Sequence, residues 1–376
     1  MSETIHHKPS NKTIDVRAPV ADINNLRKLN DFYWTDKKEP HTYRRKEILR
    51  RHPEVSKLTG HEPLTKYIIF CVVSLQFFCA YSLRNTPVFS FKFLSIAYLI
   101  GATANQNCFL AIHEMSHNLA FKEPLHNQLY SIVANLPIGI PYSASFKPYH
   151  QLHHKFLGDV QFDTDLPTRF EAIFLSNIFG KAFFATFQLF FYALRPMFIT
   201  SVKFTIVHFL NVLVQVLVDY VMVEQWGVNS LYYFLISSFL AGSLHPCAGH
   251  FISEHYILNP PTSQEYIQSK SLYINTVMEN ETVPPPETYS YYGILNFFTW
   301  NVGLHNEHHD FPYVAWSKLF KLNEIANEFY EPLPKTKSWA YTIVDFVCNK
   351  DITLWNRVKR DLADAKAKEK VDLNVN

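Results

Sequence analysis

The run TKYIIFCVVSLQFFCAYSL, residues 65–83, is predominantly apolar and carries one charged residue, a lysine in its first turn. A membrane-spanning helix needs about 20 mostly apolar residues. Three more runs meet this requirement, at residues 88–112, 202–223 and 228–248. The alternative is a large soluble protein with buried helices, but two closely spaced pairs of such runs are hard to bury in a soluble core. The pattern therefore predicts an all-α integral membrane protein with about four transmembrane helices.

Two further runs are apolar but poorer candidates for membrane spans. Residues 173–194 include Lys181 and Gln188, so we expect an amphipathic helix that lies in the membrane interface. Residues 129–146 are interrupted by two prolines, so we expect this segment to dip into the membrane or to lie flat on it.

The composition excludes several classes of function. The chain has 376 residues and a net charge of +2, which gives no indication of nucleic-acid binding. Its five cysteines are an odd number without paired spacing, so neither a disulfide framework nor a cysteine-based metal site is predicted. Aromatic residues make up 16% of the chain, which is high for a soluble domain.

The charge pattern predicts the orientation in the membrane. Residues 27–66 contain eleven Lys or Arg and six acidic residues, so the positive-inside rule places this segment in the cytosol. The first span then leads outward, the turn RNTP at 84–87 is lumenal, and the second span returns. HEMSH at 113–117 therefore lies at the cytosolic end of the second span, and both termini are expected to be cytosolic.

Histidines are numerous and clustered. The chain has eighteen of them, and three motifs stand out: HEMSH at 113–117, HQLHH at 150–154 and HNEHH at 305–309. Positions i, i+3 and i+4 of a helix share one face, so each motif directs its imidazoles together. Neutral imidazole is a good ligand for iron, zinc and copper. The candidate ligands are His113, His117, His150, His153, His154, His305, His308 and His309.

HEMSH alone also fits the zinc-protease pattern, with Glu114 as the general base. A catalytic zinc site uses three protein ligands and keeps one position open. That interpretation would leave HQLHH and HNEHH without a role. Eight histidines suit two metal ions with four or five ligands each.

A shared metal site requires all three motifs on one side of the membrane. The segment 118–149 is too short for two spans and a turn, so we expect it to make no crossing. An even number of crossings must separate the second motif from the third, and the runs 202–223 and 228–248 supply two. Four spans capped by a cytosolic helical domain with a histidine-rich metal site satisfy every constraint.

The motifs, in this order and between paired spans, resemble those of the membrane fatty-acid desaturase and hydroxylase family. Four stretches, at residues 30–55, 134–158, 245–256 and 287–312, resemble the sphingolipid Δ4-desaturases in particular. The resemblance covers roughly residues 27–355. It implies a dihydroceramide Δ4-desaturase of the endoplasmic reticulum membrane.

The resemblance also implies a set of site residues. The eight motif histidines would bind two iron ions, and one further ligand would follow the last span. The candidates for this ninth ligand are His245, His250 and His255, of which we favour His250. Ligating histidines usually donate their second N–H to a carboxylate or a carbonyl, and the acidic residues near the motifs are Glu114, Asp163, Asp165, Glu254, Glu307 and Asp310.

Desaturation needs O₂ and two electrons for each turnover. The sequence has no flavin or nicotinamide fingerprint, and HPCAG at 245–249 is not the haem-binding HPGG of a fused cytochrome b5. We therefore expect electrons from a separate membrane cytochrome b5 and its NADH-cytochrome b5 reductase. The alternatives are C4-hydroxylation of the sphingoid base, a membrane zinc metalloprotease and a non-enzymatic membrane scaffold.

The expected organisation has four parts. Residues 1–26 form a disordered tail, 27–64 a cytosolic N-terminal segment, 65–355 the membrane desaturase domain, and 356–376 a charged C-terminal tail. Within the domain, the Pro-rich stretch 257–286 is expected to be a surface loop.

Overall fold

The computed structural model describes residues 31–35, 38–199, 203–258 and 287–361. The predicted N-terminal tail and nearly all of the Pro-rich stretch lie outside these ranges. The described chain is mostly helical, which confirms the predicted fold class in its coarse form.

The helices before residue 176 are α1 Pro40–Arg51, α2 Leu64–Leu83, α3 Phe91–Ile96, α4 Thr103–Ser116, α5 Pro124–Asn135, α6 Ser143–Lys155 and α7 Arg169–Leu175. Those that follow are α8 Ile178–Ile199, α9 Ile206–Trp226, α10 Val228–Ala241, α11 His250–Ser253, α12 His305–Asp310, α13 Leu319–Ile325, α14 Asn327–Tyr330 and α15 Trp339–Cys348. Short 3₁₀ turns occupy Pro53–Leu58, Leu136–Ile138, Pro246–Gly249, Ile294–Phe298 and Trp316–Lys318.

Four two-residue strands form two parallel pairs. Strands β1 Tyr33–Trp34 and β4 Val358–Lys359 join the two ends of the described chain. Strands β2 Ser290–Tyr291 and β3 Lys335–Thr336 form the second pair.

Local sequence signals fix several helix starts. The Ser90 hydroxyl accepts a hydrogen bond from the Phe93 N–H at the start of α3. Thr168 and Glu171 form a reciprocal capping box at the start of α7. Such caps satisfy backbone N–H groups that have no partner within the helix.

The second apolar run forms one continuous helical rod. Helices α3 and α4 are joined by a π-helical segment, Ala97–Ala102, so the rod extends from residue 91 to residue 116 and is about 39 Å long. Gly101 lies in the π segment, and a Cβ there would be 2.1 Å from the Ser237 hydroxyl of α10. Glycine therefore permits the close approach of α10 to the rod.

Among the described residues, two helices, α2 and α9, are long and apolar enough to cross a membrane by length and composition. They coincide with the first and third predicted spans. The second predicted span contains the π segment, and the fourth contains the 14-residue α10 followed by turns. The four-span arrangement therefore stays a prediction.

Buried polar side chains link these helices. Gln76 of α2 donates to the Gly101 carbonyl at 3.0 Å and to the Asn105 side chain at 2.6 Å. The Tyr233 hydroxyl of α10 donates to Gln76 at 2.7 Å. Asn105 in turn donates to the Ser238 hydroxyl at 2.8 Å. Polar groups in apolar helices are tolerated when they are satisfied by neighbouring helices, as these are.

The run 173–194 falls in α7 and α8. The Lys181 ammonium donates to the Asn349 and Ile352 carbonyls at 2.5 and 2.8 Å. Gln188 donates to the Ser243 and Ala248 carbonyls. Both polar residues are buried against the protein, and the exposed side of α8 is rich in phenylalanine. The interfacial position of this helix stays a prediction.

Residues 118–149 form a helix–turn–helix that returns to its starting end. Gly139 turns the chain after α5 with a φ of 77°. The Asn135 side chain then accepts hydrogen bonds from the backbone N–H groups of Tyr142 and Ser143 at 2.9 and 2.8 Å. These bonds fix the start of α6, the helix that carries HQLHH.

The C-terminal part of the described chain packs against the main body. Residues 356–360 are buried, although the sequence assigned them to the tail. The Arg360 guanidinium contacts both Glu287 carboxylate oxygens, at 2.6 and 2.5 Å. Ordered packing therefore continues to at least residue 360.

Candidate metal centre

Three helices present the histidine motifs to one another. HEMSH lies at the end of α4, and His117 caps that helix. HQLHH lies in the last two turns of α6, and HNEHH forms most of α12. The i, i+3 and i+4 spacing directs the imidazoles of each motif to one side. All eight motif histidines meet between the three helices, so the motifs share one end of the fold as the sequence analysis required.

The first group of histidines consists of His113, His117, His150, His154 and His308. Their ligand nitrogens all lie within 4.8 Å of one another. The His150 Nε2 is 2.9 Å from the His117 Nε2 and 3.0 Å from the His154 Nε2. The His308 Nε2 is 3.2 Å from the His154 Nε2. One group therefore draws ligands from all three motifs.

The second group consists of His153, His255, His305 and His309. The nitrogens of His153, His255 and His309 lie within 4.8 Å of one another. The His255 Nε2 is 3.0 Å from both the His153 Nε2 and the His305 Nε2. The two groups adjoin, because the rings of His154 and His309 stack with a centroid separation of 4.1 Å.

His250, the favoured ninth ligand, lies beside the two groups, and its Nε2 is buried without a hydrogen-bond partner among the described residues. The His250 Nδ1 contacts the Glu254 carboxylate at 3.0 Å, and its ring packs on Phe251. His245 lies five residues earlier, within the last predicted span, and its Nε2 is 3.3 Å from the Thr103 hydroxyl. The structure brings His255 into the second group instead, because the chain turns after α11 and points this side chain inward.

Burial favours the neutral form of the clustered imidazoles. Burial, reinforced by neighbouring histidines, lowers the pKa of His113 to about 3. The same two causes lower the pKa values of seven others far below their usual value: His117, His150, His154, His255, His305, His308 and His309. The neutral form is the one that binds metal ions.

Two of the rings are oriented through Nδ1. The His153 Nδ1 is 2.9 Å from the Asp163 carboxylate, and the His255 Nδ1 is 3.3 Å from the Glu287 carbonyl. Both partners accept hydrogen bonds, so the Nδ1 of each ring is assigned as the donor. The two Nε2 atoms face one another at 3.0 Å, an arrangement in which both can bind one cation.

Further buried nitrogens have no hydrogen-bond partner among the described residues. They include the Nε2 atoms of His113 and His309, one in each group. Buried polar atoms in folded proteins are nearly always paired. An all-imidazole donor set with unpaired nitrogens fits transition metals such as iron, and two groups fit two ions.

Three of the six acidic residues named from the sequence contact a motif histidine. Asp163 and Asp165 lie 2.9 and 3.5 Å from the His153 Nδ1. Burial opposes protonation of His153, but these two carboxylates outweigh burial and raise its pKa. Glu254 lies 3.5 Å from the His305 Nδ1 as well as contacting His250. These carboxylates orient the rings that they contact.

The other three acidic residues have different partners. The Glu114 carboxylate accepts a hydrogen bond from the Trp316 backbone N–H at 3.2 Å, and burial raises its pKa to about 8. Glu307 binds the hydroxyls of Ser290 and Tyr292. Glu114 is thus anchored to the backbone of Trp316 and not to a motif histidine.

The third of these, Asp310, belongs to a network that the sequence analysis missed. His41 of α1 contacts Asp310 at 2.8 Å through Nδ1 and the Thr288 hydroxyl at 2.8 Å through Nε2. The Arg44 Nε donates to Asp310 at 2.6 Å. The His41 ring lies 4.8 Å from the His309 ring. The only sequence signal was the one-turn spacing of His41 and Arg44 in the N-terminal segment.

Comparisons with known proteins show the family of the chain. The family profile "Fatty acid desaturase" matches residues 90–339, and the profile "Sphingolipid Delta4-desaturase (DES)" matches residues 28–64. No solved structure matches the chain significantly.

Three curated relatives carry the name sphingolipid delta(4)-desaturase. The protein from Candida albicans is 58% identical over 100% of this chain and 99% of its own length. The protein from Komagataella phaffii is 58% identical over 96% of this chain and 97% of its own length. The protein from Schizosaccharomyces pombe is 52% identical over 88% of each chain. The chain therefore belongs to the fatty acid desaturase family, in the group of the sphingolipid delta(4)-desaturases.

Proposed function

We propose that this protein is a sphingolipid Δ4-desaturase that introduces a trans C4–C5 double bond into dihydroceramide and so forms ceramide. The observation that carries the proposal is the pair of adjoining imidazole groups, whose Nε2 atoms face one another at 2.9–3.2 Å. The family and the names of the relatives support the substrate class. In the balanced reaction, O₂ takes up the two hydrogens that dihydroceramide loses, together with two electrons from the donor and two protons, and leaves as two waters.

Nine histidines would hold two iron ions. The first ion would be bound by His113, His117, His150, His154 and His308, and the second by His153, His255, His305 and His309. When bound, the iron pair supplies the strong oxidant that abstraction of hydrogen from an unactivated methylene requires. The set retains all eight motif histidines and takes His255 as the ninth ligand in place of His250.

The chain's own contribution is ligation, orientation and exclusion of water. Burial keeps the imidazoles neutral, so that their Nε2 lone pairs are available. Asp163 holds the Nδ1 proton of His153, and the Glu287 carbonyl holds that of His255. Asp310, fixed by His41 and Arg44, holds α12 against α1.

We further propose that the protein is a multi-pass protein of the endoplasmic reticulum membrane, with four spans and with the metal centre and both termini in the cytosol. The two long apolar helices and the basic segment 27–66 support this topology. A separate cytochrome b5, reduced by its NADH reductase, would deliver the electrons at the cytosolic face.

Product analysis tests the proposed function. Microsomes that contain the chain would receive NADH, O₂ and a defined dihydroceramide, with cytochrome b5 confirmed present and a His113→Ala variant as control. Mass spectrometry should show a product lighter by two hydrogens, which the control lacks. A gain of one oxygen would identify a C4-hydroxylase instead. An unchanged substrate would contradict the proposal, and one zinc per chain in place of iron would favour the protease alternative.

A further inference from the structure

A turn between β2 and α12 exposes a strongly apolar edge. We call residues 291–303 the Asn296 turn; it contains the 3₁₀ segment Ile294–Phe298. Ile294 is 78% exposed, Phe297 81% and Phe298 40%. Three large apolar side chains side by side on one turn are costly to leave in water, at roughly 25 cal/mol for each Å² of apolar surface.

The polar groups of the same turn are directed inward. The buried Asn296 side chain donates to the Tyr291 carbonyl at 2.7 Å and accepts from the Gly303 N–H at 2.9 Å. The Thr299 hydroxyl donates to the Leu295 carbonyl at 2.9 Å. Side chains of the turn thus satisfy its irregular backbone from within. Irregular backbone is tolerated at membrane depth only where the protein satisfies its polar groups.

The turn is attached to the helix that we assign as the second span. The Asn107 side chain of α4 donates to the Phe298 carbonyl at 2.9 Å, and the Asn107 carbonyl accepts from the Trp300 indole N–H at 2.8 Å. Asn107 lies inside the predicted span 88–112, six residues before His113. At 1.5 Å per residue, this contact is about 9 Å farther toward the membrane than the first imidazole of the metal centre.

We propose that the Asn296 turn inserts its apolar edge into the cytosolic leaflet of the bilayer beside α4, where lipid acyl chains cover Ile294 and Phe297. The inference rests on the membrane orientation given under the proposed function, and it adds a lipid contact where the sequence placed only cytosolic chain. The inward polar groups and the attachment to a membrane helix favour lipid over water as the occupant.

The insertion would hold the third histidine motif at the membrane surface. Helix α12 begins at His305, two residues after the Asn296 turn ends. The turn would therefore connect the lipid directly to the helix that carries the third motif. The acyl or sphingoid chain of a lipid substrate must pass from the bilayer to the histidines. A turn embedded next to α4 keeps the membrane close to them.

Spin-label accessibility in lipid nanodiscs tests the insertion. The exposed cysteines Cys71 and Cys348 would be replaced by alanine, and a nitroxide would be attached to Ile294→Cys or Phe297→Cys. Phe78→Cys, which is 66% exposed on the membrane helix α2, serves as the lipid reference. Lys46→Cys, exposed on α1, serves as the water reference. Collision with O₂, which concentrates in lipid, is compared with collision with a water-soluble nickel chelate.

Both test labels should give an oxygen-to-nickel collision ratio close to that of Phe78→Cys and several-fold above that of Lys46→Cys. A ratio like that of Lys46→Cys would overturn the insertion. Shielding from both reagents would also overturn it, because protein, either a second copy or residues 259–286, would then cover the edge. Two independent label positions keep the test decisive if one variant fails to fold. The product assay on wild-type microsomes reports separately on the proposed reaction.

Discussion

At the level of single residues, spacing in the sequence predicted most of the histidine cluster. Helical spacing within each motif directs its histidines to one side, so eight of the nine clustered imidazoles could be predicted. The ninth could not, because His250 begins the short helix α11 and His255 follows its end. Which of them faces the second group is decided by the turn after Ser253, and no periodic pattern encodes that turn.

The two candidates for the ninth ligand predict different iron contents. His255→Ala removes a nitrogen that lies 3.0 Å from two other ligands of the second group, so iron should fall from about two ions per chain toward one. His250→Ala should retain more iron, because the His250 Nδ1 is held by Glu254 and its ring lies outside the close contacts between Nε2 atoms. Metal analysis of the purified variants measures this directly. Greater loss in His250→Ala would restore the preference from the sequence.

The two carboxylates near His153 should also differ in effect. Asp163 is buried and 2.9 Å from the His153 Nδ1, whereas Asp165 is 3.5 Å away and partly exposed. Replacing a partner that orients a ligating histidine typically costs 10–100-fold in metal affinity, so we expect about this loss for Asp163→Asn. Asp165→Asn is the matched variant and should lose less. Competition with an iron chelator gives both affinities, and equal losses would contradict the assigned roles.

At the level of elements, hydropathy located the apolar helices better than it located their interruptions. The runs at 65–83 and 202–223 became the uninterrupted helices α2 and α9. The run at 88–112 contains a π segment, and the run at 228–248 yields only a 14-residue helix. These irregularities arise where α10 packs against the rod, and such packing between distant segments is not visible in a local window.

Gly101 should be the residue on which this helix packing depends. A Cβ at this position would lie 2.1 Å from the Ser237 hydroxyl and 2.9 Å from its Cβ, so Gly101→Val must displace α10. Overpacking of this kind costs about 1–3 kcal/mol. Thermal unfolding in detergent should show a clear fall in Tm, whereas Leu99→Ala, on an exposed side of the same rod, should change it little. A wild-type Tm for Gly101→Val would mean that the rod and α10 are not closely packed.

At the level of the whole molecule, the chain ends were the least predictable part. The C-terminal residues were assigned to a charged tail, because charge and low aromatic content are typical of disorder. In the structure β4 pairs with β1, and Arg360 forms a buried ion pair with Glu287, 73 positions earlier in the chain. A local sequence pattern cannot predict a partner that lies 73 positions away in the chain. Charged residues that predict a tail thus form buried contacts with the rest of the fold, next to the clustered histidines.

The Arg360–Glu287 pair should couple global stability to the second imidazole group. Removing one partner of a buried ion pair typically costs 3–5 kcal/mol, because the other charge stays buried without compensation. Arg360→Met should therefore lower Tm strongly, and Lys350→Met, an exposed charge nearby in the sequence, should not.

The same pair is linked to the metal ligands. The Glu287 carbonyl also accepts a hydrogen bond from the His255 Nδ1, so displacement of Glu287 should release iron from the second group. The double variant Arg360→Met/Glu287→Met should recover part of the Tm, since no unpaired charge remains. If Arg360→Met keeps both its Tm and its iron, the C-terminal segment does not support the centre, and its packing is independent of the site.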